Sequence, residues 1–330
     1  MEQATYQIFR RMLAVVCLAG IVAIIGCNRG RGKALEINYV SAPQAILRDR
    51  VAPVYTKVGT LKNGERVEVL DRDRRFVKVR TSGGGEGWME QRYLISEQTY
   101  DQLQKLAQDN RDAAVQATGT TRNDTNIHLE PARDSDHLYQ LATNDKVFIL
   151  KRATSEKQMP NAPAVSPGKK DAGKPVMEDW WLIRDSHGRA GWILARMVDI
   201  DVPLEIAQYA EGQRIQAFFV LDEVSDGDKK VPEYLVLLSE PKDGMPFDFN
   251  QIRVFTWNVK RHRYETAYRE RKLDGIFPVS VTHETFEKEG TLPVFVVRVR
   301  DATGSAVERK YKLNTPIVRR VENVQPKAKG

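Results

Sequence analysis

Cysteine is almost absent from this 330-residue chain: there are two, Cys17 and Cys27, and none beyond. The body after residue 27 therefore has no disulfide, no cysteine nucleophile and no cysteine-ligated metal or iron–sulfur site. Histidine is scarce too. The five, His128, His137, His187, His262 and His283, include no pair at an H-x-x-x-H spacing. There is no G-x-S-x-G around a serine and no paired-carboxylate signature. Gly83-Gly84-Gly85 is not followed by a helix start, so it reads as a hairpin turn and not a phosphate cradle. Long apolar runs are missing as well. The main one, Met12 to Ile25, has 14 residues, none charged, and as a helix would rise roughly 21 Å, short of a bilayer core of about 30 Å. These absences leave no catalytic residues, no metal and no cofactor to assign, and favour a noncatalytic role. An enzyme would need a carboxylate or histidine cluster hidden in the last third.

What is present begins with that short run. Arg10 and Arg11 precede it and Gly26-Cys27 closes it, the layout of a secretory signal. Ile24-Ile25-Gly26-Cys27 resembles the lipobox of bacterial lipoprotein signals. The resemblance implies cleavage after Gly26 and lipid attachment at Cys27, with two or three acyl chains giving a stable anchor where one gives a marginal one. The expected arrangement is a signal peptide over 1–26 and a tether over 27–37. Asn28, which is not Asp, resembles an outer-membrane sorting signal, so a Gram-negative host implies the outer membrane, facing the periplasm. Net charge is +7, with 29% charged residues of both signs. That suits weak attraction to an anionic envelope and lacks the concentrated basic face of a nucleic-acid binder.

The middle of the chain repeats itself. LKNGERVEVL (61–70) aligns with LATNDKVFIL (141–150) at an offset of 80. FVKVR (76–80) aligns with WWLIR (180–184) at an offset of 104, and Gly87-Trp88 with Gly191-Trp192 at the same offset. The second copy thus carries 24 extra residues, KQMPNAPAVSPGKKDAGKPVMED among them. This Pro-, Ala-, Gly- and Lys-rich stretch has little to bury and reads as a disordered insert at about 153–178. Val67, Val69, Val77 and Val79 alternate as half-buried strands do. Asn63-Gly64 and Asn144-Asp145 are turn residues that tolerate positive φ.

LRDRVAPVYTKVGTLKNGERVEVL followed by RRFVKVRTSGGGEGWMEQRYL resembles a bacterial SH3 domain. Phe76 stands where that family usually has tryptophan, and Met89 where it has valine. The second copy keeps the tryptophan as Trp181 or Trp180 and has Ile193, but its first loop departs, with Leu129-Glu130-Pro131 and Tyr139. The resemblance implies two small SH3-like barrels, 38–95 and 119–202, and a ligand lying along an aromatic-lined groove. Tyr55 and Tyr93, with Trp88 as floor, are the candidates in the first copy; Tyr139, Trp180 and Trp192 are those in the second. Each tryptophan can equally be core. Trp180 and Trp181, being adjacent, should point to opposite faces, one into the core and the other exposed or covered by the insert. Such a groove suits peptidoglycan peptides or an envelope protein.

Between the copies, 96–118 reads as a helical linker. Ser96 can cap it, and Tyr100, Leu103, Leu106 and Ala107 share one face, expected to pack on the first barrel. From 203 to 322 the pattern becomes seven short strands separated by Gly, Asp, Asn and Pro turns, which suggests an antiparallel sandwich or barrel, followed by a tail at 323–330. In the hairpin VFTWNVKRHRYETAYRER, Tyr264, Thr266 and Tyr268 are expected on one face, packing across the pair against Phe255 and Trp257. Its Lys260-Arg261-His262-Arg263 tip reads as a solvated edge, or else as a contact for acidic glycans or lipid heads. The fold expected overall is mainly β. The function expected is noncatalytic binding of wall peptide or an envelope protein, and the other reading is an assembly scaffold whose C-terminal β domain holds a partner. The oligomeric state is not legible.

Overall fold

The computed structural model describes residues 33–157 and 175–321. Cys27, the expected signal peptide and most of the expected insert lie outside them. The chain is mainly β, in three antiparallel seven-stranded sheets. It divides into two compact units, one holding the first six strands of the first sheet and the other made mainly of the chain from Ile95 on.

In the first sheet, β1 (Glu36–Val40), β2 (Gln44–Arg48), β3 (Lys57–Lys62), β4 (Arg66–Asp73), β5 (Phe76–Thr81), β6 (Glu86–Glu90) and β7 (Leu94–Ser96) are ordered β3-β2-β6-β5-β4-β1-β7. The alternation seen in the sequence is realised. Val67, Val69, Val77, Val79 and Met89 are wholly buried and share one core with Leu47 and Leu61. Asn63-Gly64 makes the β3–β4 turn, with Gly64 at φ 77°, where a side chain would be strained.

The second sheet comprises β8 (Ala117–Thr121), β9 (Thr125–His128), β10 (His137–Leu141), β11 (Lys146–Glu156), β12 (Met177–Asp185), β13 (Ala190–Leu194) and β14 (Val198–Ile200). Its order, β10-β9-β13-β12-β11-β8-β14, repeats the first strand for strand. The β11–β12 hairpin runs on to the pair Glu156↔Met177, so residues at both ends of the expected insert are ladder-bonded strand. Helix α1 (Glu97–Asp109) precedes this sheet. Ser96 caps it, accepting the Thr99 N–H, and Leu103 is buried on its inner face. The helix ends at Asp109, and its partners correct the expectation that it packs on the first barrel. Thr99 donates to Asp136 at 3.0 Å, Arg184 donates to the Asn110 carbonyl at 3.0 Å, and Lys151 donates to the Asn110 side chain at 3.0 Å. All three tie the helix to the second sheet.

The third sheet is an open meander of β15 (Arg214–Asp226), β16 (Lys229–Ser239), β17 (Phe249–Asn258), β18 (Arg263–Phe286), β19 (Gly290–Arg300), β20 (Ala306–Asn314) and β21 (Ile317–Val321). Seven strands were expected, but two of those, HRYETAYRE and GIFPVSVTHE, form the single β18, and Ile317–Val321 adds the seventh. The first half of β18 pairs with β17 and the second half with β19. A register shift opposite Val254/Phe255 turns the strand at Ala267. Tyr264 therefore packs with Phe255 on one face, whereas Tyr268 joins Tyr311 on the other. That overturns the expected single face, because a bulge inverts the alternation beyond it.

The second and third sheets share one core. Trp181, Ile183 and Ile193 belong to the same buried cluster as Phe249, Phe277, Phe295 and Tyr311. The Trp181 and Phe277 rings lie 6.4 Å apart, and the Gln116 side chain accepts the Val279 N–H at 2.7 Å. The far face of the third sheet is covered by α2 (Leu204–Ala207), whose Ile206 is buried against Tyr234, Phe255 and Tyr264.

Candidate functional site

Residues directly opposite each other on paired strands project to the same face. In the first sheet Arg48 lies opposite Trp88, Trp88 opposite Lys78, and Phe76 opposite Glu90. Val77 and Met89, one residue along, fill the core. Trp88 therefore points away from the core and is half-buried among the side chains of this outer face.

The face is built from guanidiniums and rings. The Arg48 guanidinium lies 4.1 Å from the centre of the Tyr55 ring and 5.1 Å from that of Phe76. Arg75 lies 5.4 Å from Phe76 on the adjoining turn. Arg92 stands 4.8 Å over Tyr93 and donates to its hydroxyl at 2.8 Å. Glu90 sits between Arg48, at 3.7 Å, and Arg92, at 2.8 Å, so two guanidiniums share one carboxylate. Tyr55 is carried by a loop whose neck is closed at Asp49, which accepts the Thr56 N–H at 2.8 Å. The Arg50 hydrogen bond, and then that of Thr56, hold the Asp49 carboxyl below the usual carboxylate range. Tyr55 is 36% exposed and the neighbouring Val54 85%. Flat rings offer stacking surface, and the planar guanidinium forks match carboxylates. Sequence reasoning found Tyr55, Trp88 and Tyr93 but missed Arg48, Arg75, Glu90 and Arg92. The signal was there in the arginines flanking Phe76 and Tyr93.

The same positions in the second sheet are closed. Leu182, opposite Trp192, replaces the Lys78 that lies opposite Trp88, and α1 packs on β13. Trp180, the counterpart of Phe76, is fully buried, with His128 edge-on at 5.5 Å. It is thus corrected from ligand contact to covered core. Trp181 is buried as well, against the third sheet, so neither member of the pair is exposed. Trp192 is half-buried opposite His128. Tyr139 is half-buried, with Arg189 over its ring at 4.7 Å and its hydroxyl accepting from Gln104 of α1 at 3.2 Å.

Residues 46–95 match the bacterial SH3 domain model. The match holds Tyr55, Trp88 and Tyr93 and all three arginines of the face. No curated protein matches the chain by sequence. Among solved structures, an NlpC/P60 family protein from Bacillus cereus aligns at 12% identity over 57% of this chain, with a TM-score of 0.23. The alignment spans 65% of that protein, less than two thirds of its length. NlpC2 from Trichomonas vaginalis aligns at 12% identity over 88% of this chain and 98% of its own, with a TM-score of 0.18. Scores this low say nothing of what this chain does.

His128 and His137 stand opposite each other with ring centres 5.5 Å apart, and burial pushes both imidazoles below their ordinary pKa. Nothing in the spacing of the two residues marks this pairing. At the hairpin tip, Asp226 accepts from the Trp257 indole at 2.8 Å and lies 2.7 Å from His262. Trp257 and Tyr264 meet edge to face, as a hairpin with its aromatics turned inward requires. Among the described residues no cluster of histidine and carboxylate side chains is arranged to hold a metal ion, and no helix is long and apolar enough to cross a membrane.

Proposed function

We propose that this is a noncatalytic cell-envelope protein, tethered by lipid on Cys27, whose bacterial SH3 domain binds cell-wall peptide through the Arg48–Tyr55–Trp88–Tyr93 face. The observation that carries the reading is the alternation of Arg48, Arg75 and Arg92 with Tyr55, Phe76 and Tyr93 on the segment that matches the family. Wall stem peptides are extended and carry free carboxylates, which are the partners such a surface selects. The second sheet, with its identical strand order, is a second SH3-like copy diverted to structural use: helix α1 covers its equivalent face.

The test is retention on purified, insoluble peptidoglycan. The wild-type chain should be retained at low salt and released as salt rises. Tyr55→Ala, a change at an exposed loop position, should lower retention about tenfold without altering the unfolding midpoint. Absence of wild-type retention at any salt would overturn the proposal.

One observation favours a second reading, that of an assembly scaffold: the core shared by the second and third sheets makes a single large body. In that case a protein partner is retained by the chain and the wall is not.

A further inference from the structure

A cleft of about 410 Å³ opens between the second and third sheets, within the range of roughly 300–1,000 Å³ usual for ligand sites. It is lined by β14 and by the start of β15. Each is the end strand of its sheet: β14 pairs only with β8, and β15 only with β16. End strands present main-chain donors and acceptors to any extended segment that lies alongside them. The apolar part of the lining includes Trp181 and Val198. The charged part is Arg122, Arg196 and Arg214 against Asp199 and Asp243.

These cations are not equivalent. Arg122 donates to Asp199 at 2.8 Å and Arg214 to Asp243 at 2.8 Å. Arg196 is 56% exposed, and its nearest described carboxylate, Glu178, is 3.8 Å away and already gripped by Arg133. Gln216 is 2% exposed, and its Oε1 has no hydrogen-bond partner among the described residues. A buried acceptor left this way costs on the order of 1–3 kcal/mol, and a peptide N–H is the kind of donor it lacks.

We infer that this cleft takes an extended acidic peptide segment of a protein partner, added as a strand beside β14 or β15, with a carboxylate on Arg196 and an apolar side chain against Trp181. The site is separate from the SH3 face and independent of the reading proposed for it. The probe is the capped hexapeptide acetyl-(Val-Glu)3-amide, titrated into the full chain and followed by hydrogen exchange of individual amides. Saturable slowing of exchange in β14 and β15 is expected. The acetyl-(Val-Gln)3-amide analogue and the Arg196→Glu variant should each weaken the effect at least tenfold, and Ala207→Trp, which fills the cleft, should abolish it. If Ala207→Trp does not fold, the exposed Arg196→Glu change carries the test. No slowing at millimolar peptide, or equal binding by the Gln analogue and by Arg196→Glu, would overturn the inference.

Discussion

Glu233 shows how a single side chain can set the pH dependence of the third sheet. It is fully buried. Its carboxyl accepts from the Thr315 hydroxyl and, at 3.3 Å, from the Trp257 N–H, with no cation beside it among the described residues. Burial raises its pKa above the usual carboxylate value, an effect the two donors only partly offset. The folded state therefore binds this proton more tightly than the unfolded chain does. The group's contribution is fully present below the unfolded value of about 4.3 and is lost as pH rises through the folded one. Glu233→Gln keeps the shape and removes the buried charge. It should raise stability at pH 7 by about 1 kcal/mol, roughly 2–4 °C in a unit of this size, and should flatten the pH dependence of the unfolding midpoint above about pH 4. A lowered midpoint at pH 7 would contradict this account of Glu233.

Among the elements, β18 teaches most, because its sequence looks like two strands and a turn. Lys272-Leu273-Asp274-Gly275 has turn composition, and Lys272 indeed has a φ of 58°. The chain nevertheless continues as strand, since Gly275 lies opposite both Phe249 of β17 and Val299 of β19. A Cβ on Gly275 would come within 2.2 Å of the buried Phe249 ring. Gly275→Ala should therefore destabilise the third sheet by about 1–3 kcal/mol, the usual cost of overpacking, as measured by denaturant unfolding. Alternation and turn residues made the strands around Val67, Val77 and Phe295 legible, and the 80- and 104-residue offsets made the repeat legible. The helical stripe Tyr100–Leu103–Ala107 was legible as a stripe, but a stripe does not name the surface it covers. The signal that did was Leu182 in place of Lys78: an apolar residue on an outer face needs a cover. Tyr268 was misplaced because a one-residue bulge at Ala267 leaves no mark in the composition. The aromatic half of the SH3 face was visible in the sequence. Arg75 and Arg92 stand beside Phe76 and Tyr93 in the sequence, but that they share a face with Arg48 shows only once β2, β5 and β6 are aligned.

Across the larger unit, the second and third sheets are joined by polar ties as well as by their core. Arg152 of β11, 4% exposed, donates to the Phe247 carbonyl at 2.8 Å, to the Met245 carbonyl at 3.1 Å and to the buried Asp179 at 2.8 Å. Asp179 also accepts the Gly244 N–H at 2.9 Å. Removing one partner of such a buried pair leaves an uncompensated charge, so Arg152→Ala should cost about 3–5 kcal/mol. Both sheets should lose hydrogen-exchange protection together, because the larger cluster that buries the inner face of the third sheet also buries the second. Protection retained in the third sheet while the second opens would contradict the shared core. The first unit has a core of its own, and so its exposed aromatic face answers to separate tests. The most direct of these is an NMR titration of the full chain with a soluble wall peptide bearing free carboxylates, monitoring ring and guanidinium signals. The account predicts saturable shifts at Tyr55, Trp88, Tyr93 and Arg48. Shifts confined to the second and third sheets, or none at millimolar peptide, would contradict it.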